Sequence, residues 1–281
     1  MAIETENYNV ATALTSNAFV DSGYTFTGWN TAPGGGGTNY ANGAIYSFTS
    51  GVILYAQWTA VPAPAQSPGL SSSNWAGYEL SGGIGGYQAV GAEWTVPTLN
   101  CASLPNSSTA DWVGVNGADG YSGLFQDGTL SRCTNGREVT TAWWTDEAYG
   151  YVTQSLFTVN SGDVIDAQVY QDTSGAWHYS VSDLTNHQSS TSGEAYSGAG
   201  MTAEWIAEDP GNVSSGGLDT LANFGVVTFT ELGLTVPSGT WTLPPYSAAI
   251  EMVTTNNSVD ALPSQMQGSG ASAGFTVTYE G

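Results

Sequence analysis

Few side chains in this sequence could act as an acid, a base or a nucleophile. It holds two histidines (His178, His187), two cysteines (Cys101, Cys133), two arginines and no lysine, against 24 carboxylates. A serine hydrolase needs its serine on a strained elbow backed by a helix. The one G-x-S-x-G, "GASAG" at 270–274, has almost no chain behind it and reads as a small-residue turn. An aspartic peptidase needs two Asp-Thr/Ser-Gly loops whose carboxylates share a proton. "DSG" at 21–23 and the misordered "DTSG" at 172–175 fail on count and placement. Two histidines far from two cysteines give no zinc spacing, so neither metal nor cofactor is expected. His178 and His187 read as a strand residue and a turn residue facing solvent.

What remains is carboxylates and amides. Glu93, Glu204 and the acids of "TDEAYG" (Asp146, Glu147) could serve glycoside hydrolysis, which sets two acids across a groove. Ten tryptophans could line such a groove, though in a sandwich they more often pack. Gln126, in "YSGLFQDGTL" (121–130), lies between hydrophobic residues and an Asp-Gly turn and alone reads as a turn neighbour. Glu204 alternates with Ala203 and Trp205 and alone reads as a solvent-facing strand residue. Trp75 and Trp112 alone read as core.

The elements that must position these groups are strands. Gly, Ser, Thr, Tyr and Trp are abundant, a composition of turns and β-formers. "VIDAQVYQ" (164–171) puts Ile165, Ala167 and Val169 on one face. "AWHYSVSD" (176–183) does the same with Trp177, Tyr179 and Val181, and "DTSG" turns between them, so a half-buried hairpin is expected. "NFGVVTFTEL", "AAIEMVTT" and "GFTVTYE" continue the pattern. No segment has a helical period, which leaves an all-β sandwich or barrel.

The net charge of −22 argues against nucleic acid and anionic membranes as partners, since both need a basic footprint. The acids are dispersed, so they form no tail. A chain with so few bases gains almost no positive charge in acid and escapes the self-repulsion that drives acid unfolding. That points to acid adaptation. No stretch is apolar for long enough to span a membrane, and no basic n-region precedes an apolar segment, so no signal peptide is read. The acidic, loop-rich composition favours an extracellular disulfide between Cys101 and Cys133, two buried thiols being the alternative.

"AVPAPAQSPGLSSS" (60–73) reads as a linker. It divides the chain into a domain at 1–60, a linker at 61–71 and a domain at 72–281. In the first, "YTFTGW" and "VILYAQW" read as aromatic strands, with turns at Gly34–Gly37 and "NYANG". The segment "GYTFTGWNT…YANG…LYAQW" resembles the internalin-type B repeat over about residues 10–59. That resemblance implies a small β-grasp-like module, an accessory that could contact cell-surface or wall components.

The second domain carries "SSNWAGY" (72–78), "EWTVP" (93–97), "DWVGVNG" (111–117), "LFQDGT" (124–129), "TAWW" (141–144), "TAEWIAED" (202–209) and "NFGVVTFT" (223–230). In this order they resemble the glutamic peptidases, the eqolisin family of acid endopeptidases. The resemblance implies a sandwich of two large antiparallel sheets. By motif it makes Gln126 and Glu204 the catalytic pair, and Trp75, Trp112, Asn116 and Trp144 substrate-cleft residues. Two positions depart from the family pattern: Asn116 stands where relatives usually have Asp, and Thr145 where they often have Glu. A Cys101–Cys133 bridge would close a loop carrying Trp112 and Gln126.

Such a pair needs neither metal nor cofactor. Glu204 could take a proton from water and return it to the leaving nitrogen, and an unperturbed Glu titrates near ~4.3, which suits acid conditions. Gln126 is neutral at every pH and could orient water and stabilise the oxyanion. The expectation is a secreted, monomeric acid endopeptidase acting on proteins or peptides below about pH 5. A carbohydrate-active sandwich and a non-catalytic cell-surface binding module are the alternatives.

Overall fold

Apolar–polar alternation makes a strand of nearly every regular segment, and pairing register decides which face each residue serves. The computed structural model describes residues 7–19, 24–60, 68–81, 86–118, 123–146, 149–194, 196–212, 217–237, 244–268 and 272–281. The chain divides into two units, Met1–Gln66 and Ser67–Gly281.

In the first unit, β1 (Thr12–Ala13) pairs with β4 (Ile45–Tyr46), and β2 (Tyr24–Asn30) lies between β3 (Asn39–Tyr40) and β5 (Tyr55–Ala60). Phe26 meets Trp29 and Trp58 edge-on at 5.1 and 5.4 Å, the geometry aromatic quadrupoles prefer. Buried Asn30 accepts from the backbone N–H groups of Ala32 and Gly37 and so fixes the glycine-rich turn. The described residues of this unit include no helix.

The second unit opens with β6 (Leu70–Ser72), β7 (Trp75–Ser81), β8 (Ala89–Thr95) and β9 (Ser108–Val115). The hairpin β10 (Phe125–Thr134) and β11 (Arg137–Thr145) follows, then β12 (Gln154–Val159), β13 (Val164–Gln171), β14 (Trp177–Asp183) and β15 (Gln188–Glu194). The chain continues through β16 (Thr202–Glu208), β17 (Gly211–Asn212), β18 (Gly217–Leu218), β19 (Val226–Thr235), β20 (Ala249–Val253), β21 (Val259–Pro263) and β22 (Phe275–Tyr279). A 3₁₀ turn, Tyr246–Ala248, precedes β20. Of the linker expected at 61–71, residues 61–67 lie outside the described set. Residues 70 and 71 already belong to β6, which runs parallel to β20.

The large strands form two layers. The front layer has the order β12-β11-β10-β9-β16-β7-β20 and the back layer β19-β8-β13-β14-β15. The pairs β20–β21, β21–β22 and β22–β19 join them, so the expected two antiparallel sheets are one ladder folded over at one edge. Trp94, Trp205, Phe229, Ile165 and Val169 fill the space between, all essentially solvent-free. Burying each side chain of this size contributes roughly 1.5–3 kcal/mol. Polar contacts also cross the layers: Trp94 Nε1 donates to Thr129 Oγ1 (3.1 Å), Trp205 Nε1 to the Gly91 carbonyl (2.9 Å), and the Ser180 N–H to Asp127 Oδ2 (3.0 Å). The expected hairpin is β13–β14, with Ile165, Ala167, Val169, Trp177, Tyr179 and Val181 buried. Cys101 and Cys133 are disulfide-bonded, with Cα atoms 5.3 Å apart, tying the segment before β9 to β10.

Candidate active site

The site is built on the face of the front layer turned away from the inter-layer core. Register places one row of residues straight across five strands. Glu79 on β7 pairs with Glu204 on β16, Glu204 with Gly114 on β9, Gly114 with Gln126 on β10, and Gln126 with Thr145 on β11. Residues paired across strands share a face. Gln126 and Glu204 therefore rise from the same face on either side of Gly114, two strand spacings or about 10 Å apart. Gly114, having no side chain, lets Trp112, Leu124 and Gln126 close in over the row. A Cβ there would meet Trp112 Cζ3 at 2.9 Å and Gln126 Cβ at 3.1 Å.

Glu204 is fully buried. Its Oε1 accepts from the Gly117 N–H (3.1 Å), while Oε2 is buried with no hydrogen-bond partner among the described residues. Burial pushes its carboxyl up to about 8. The Thr202 hydroxyl and the Gly117 N–H offset this only in part, and Glu79 pushes the same way. The expectation of an unperturbed glutamate is thus corrected, because desolvation penalises the charged form. Gln126 is 7% exposed, and its Oε1 also has no hydrogen-bond partner among the described residues.

Below this row the floor is aromatic. Trp75 and Trp112 meet edge-on at 5.1 Å. Ala110, Trp112, Leu130, Trp143 and Ile206 pack together on this face, with Trp75 and Leu124 against them. Trp112 Nε1 donates to Glu208 Oε2 (2.7 Å), and Asn74 Nδ2 to Glu208 Oε1 (3.2 Å). Burial raises Glu208 to about 7, against these donors. A cleft of about 420 Å³ runs from Gln126 past Leu130 and Trp143 to Arg132, walled by Tyr151–Thr153 on one side and by Pro210 and Leu218 on the other.

The peptidase A4 family model matches residues 73–279, the whole of this arrangement. The chain belongs to that family. It is a hydrolase, an endopeptidase of the glutamic type. Residues 3–57 match the Listeria-Bacteroides repeat domain. Scytalido-glutamic peptidase with a transition-state analogue inhibitor is similar in fold, at 23% identity and a TM-score of 0.60, covering 74% of this chain and 98% of that one. The eqolisin SCP-B, solved with the tripeptide Ala-Ile-His, gives 22% and 0.58 over 74% and 98%. Aspergilloglutamic peptidase from Aspergillus niger gives 28% and 0.50, over 62% of this chain and 99% of that one. No curated protein matches the chain.

Within the peptidase the residues marked from sequence have different fates. Gln126, Glu204, Trp75 and Trp112 share one face, with Trp112 sealed beneath it. The expectation for Trp144 is corrected. Thr145 pairs with Gln126, so Trp143 shares their face and lines the cleft, and Trp144 turns inward. There it stacks on Tyr179 at 4.9 Å.

Asn116 is also corrected from a cleft residue to a buried tie. It sits at φ 65°, a left-handed conformation that asparagine tolerates. Its Nδ2 donates to the Tyr196 hydroxyl (2.5 Å), which donates to the Gly123 carbonyl, and its Oδ1 accepts from the Met201 N–H (2.6 Å). One side chain thus joins the segments that lead into β10 and β16.

Glu93 stands on β8 of the back layer, opposite Asp166, and does not face Glu204. Asp146 is buried and accepts from the Tyr149 N–H, and Glu147 lies outside the described residues. Glu79 and Glu208 were not singled out from sequence. The period-2 spacing of Glu204, Ile206 and Glu208 was the available signal for Glu208.

Proposed function

We propose that this peptidase hydrolyses peptide bonds in acid, with Gln126 and Glu204 acting on a scissile amide held between them. The observation that carries this reading is the pair of buried, unpartnered oxygens, Gln126 Oε1 and Glu204 Oε2, on one face across a glycine. Burial keeps Glu204 neutral through the acid range, so the carboxyl works bifunctionally. Its carbonyl oxygen takes a proton from the attacking water while its O–H gives one to the scissile carbonyl oxygen. The product is a neutral gem-diol and an unchanged carboxyl. In the second half the O–H protonates the leaving nitrogen, the other oxygen takes a gem-diol proton, and the C–N bond breaks. Gln126 Oε1 orients the water while its NH₂ donates to the oxygen gaining charge.

The substrates are proteins or peptides, and the enzyme works outside the cell. The disulfide and the N-terminal repeat support that location. The repeat serves as a spacer or a surface contact.

The test is hydrolysis of an unfolded protein at about pH 4, with chelator and a serine-directed reagent present. Gln126→Ala should lose about 10²–10³ in kcat, and Glu204→Gln should lose more, with both variants folded. Full activity in either variant would sink the pair.

A further inference from the structure

We propose that Arg132 and Arg137 form a carboxylate-reading subsite at the far end of the substrate cleft. They are the only cationic side chains of the Lys/Arg type in a chain with 24 carboxylates. The fold puts both on one hairpin and one face. Arg132 lies six residues beyond Gln126 on β10 with the same parity, and Arg137 opens β11 opposite Thr134, on that same face. Arg132 pairs with Val139, so the two arginines are diagonal cross-strand neighbours, about 7–8 Å apart.

Both are exposed, and neither makes an ion pair with a described residue. Among the described residues the one ion pair is His178–Asp172. Glu138, the residue after Arg137, faces the other way and accepts from the Leu99 N–H. Asp219, beside Ser108 across from Arg132, takes the Ser108 hydroxyl at 2.6 Å. Like charges set side by side on a sheet repel, and an anion shared between them would relieve this. Guanidinium groups stay charged at any acid pH and grip carboxylates bidentately.

Arg132 lines the same cleft as Gln126, over a floor of Leu130 and Trp143. Six residues of strand span about 20 Å, so an extended peptide cut at Gln126 presents a group about six residues away to the pair. The ligand is a carboxylate, from either a free C-terminus or an Asp or Glu side chain. This inference rests on the reading that Gln126 marks the scissile bond.

The experiment uses the full chain and the double variant Arg132→Gln/Arg137→Gln with three quenched-fluorescent peptides sharing one cleavage site. The first ends in a free carboxylate about six residues from that site. The second is its C-terminal amide, and the third is the amide with Asp placed six residues to either side. At about pH 4.5 a terminal carboxyl is ionised. The wild-type protein should prefer a carboxylate-bearing peptide to the plain amide by about tenfold in kcat/KM, expressed in KM. The first and third peptides tell the two carboxylate sources apart. The double variant should lose the preference, its kcat/KM on the carboxylate-bearing peptides falling to its own value on the amide. Equal KM for all three peptides with the wild-type protein, or a variant slowed equally on all three, would overturn the subsite alone. No cleavage of any peptide by the wild-type protein would overturn the scissile-site reading together with it.

Discussion

Gln126 and Glu204 pair with the same residue, Gly114, from its two sides. The distance between the two groups is therefore set by β-sheet spacing and not by loop conformation. A site on strands is held more rigidly than one on loops, which matters because small misplacements of reacting groups are costly.

Gly114→Ala is the direct probe of that relationship. The new methyl would press on Trp112 and on Gln126 Cβ. Activity should fall by about 10²-fold, and overpacking against fully buried Trp112 should lower stability by about 1–3 kcal/mol. Unchanged kcat would show that the packing around Gly114 does not position the pair.

The pH dependence has a definite sign. Burial raises Glu204 to about 8, and Asp111, Glu208 and Asp209 each to about 7. In the unfolded chain such groups ionise near ~4. Above that point the unfolded chain sheds protons that the folded chain keeps, so stability falls as pH rises towards 7. Asp183 is lowered by its Asn186 and Thr185 hydrogen bonds and acts oppositely, losing its contribution as pH falls below its ordinary range. Thermal scans should show Tm falling by about 10 °C or more from about pH 4 to pH 7. A flat or rising Tm over that interval would contradict it. Initial rates taken before unfolding should fall only as pH approaches the Glu204 value near 8.

Asn116→Asp tests the tie between the two site strands. A neutral amide donates to Tyr196 and accepts from Met201 at every pH. An ionised carboxylate can only accept, so the Tyr196 hydroxyl must turn to it and leave the Gly123 carbonyl without its donor. An unsatisfied buried group costs about 1–3 kcal/mol. The variant should match the parent's kcat/KM where its carboxyl is protonated and fall below it as that carboxyl ionises. Parallel pH profiles would remove Asn116 from any positioning role.

Trp143 and Trp144 should separate cleanly. Trp143→Ala opens the cleft floor and should raise KM. Trp144→Ala removes a ring stacked on Tyr179 and edge-on to Phe125. It should cost about 3–5 kcal/mol of stability, read by denaturant unfolding. The reverse assignment would mean that the β10–β11 register is wrong.

That tryptophan pair shows where sequence stops being informative. Alternation was readable along β13 and β14 because apolar and polar residues take turns there. In "TAWW" two neighbouring tryptophans fit either face, and only pairing with β10 decides between them. The candidate pair and the fold followed from ordered motifs. The burial of Glu204 did not, since Trp75, Leu124 and the Glu204 carboxyl crowd together around Gly117, brought there by the loop leaving β9 and the segment entering β10 and not by sequence neighbourhood. Glu208 escaped notice for the same reason.

The folded-over ladder has consequences for colloidal behaviour. Among the described strands of this unit it ends at β15, paired on one side only, the kind of edge on which chains stack into aggregates. Most soluble proteins keep such edges apart by charge. Near pH 4 this chain's carboxylates are losing theirs, and two arginines and two histidines cannot replace it. The edge itself reads "QSSTSGE", hydroxyl-bearing and without a large apolar side chain. Solubility in acid then depends on hydration of serine and threonine along that rim, a form of protection that survives when electrostatic repulsion is gone.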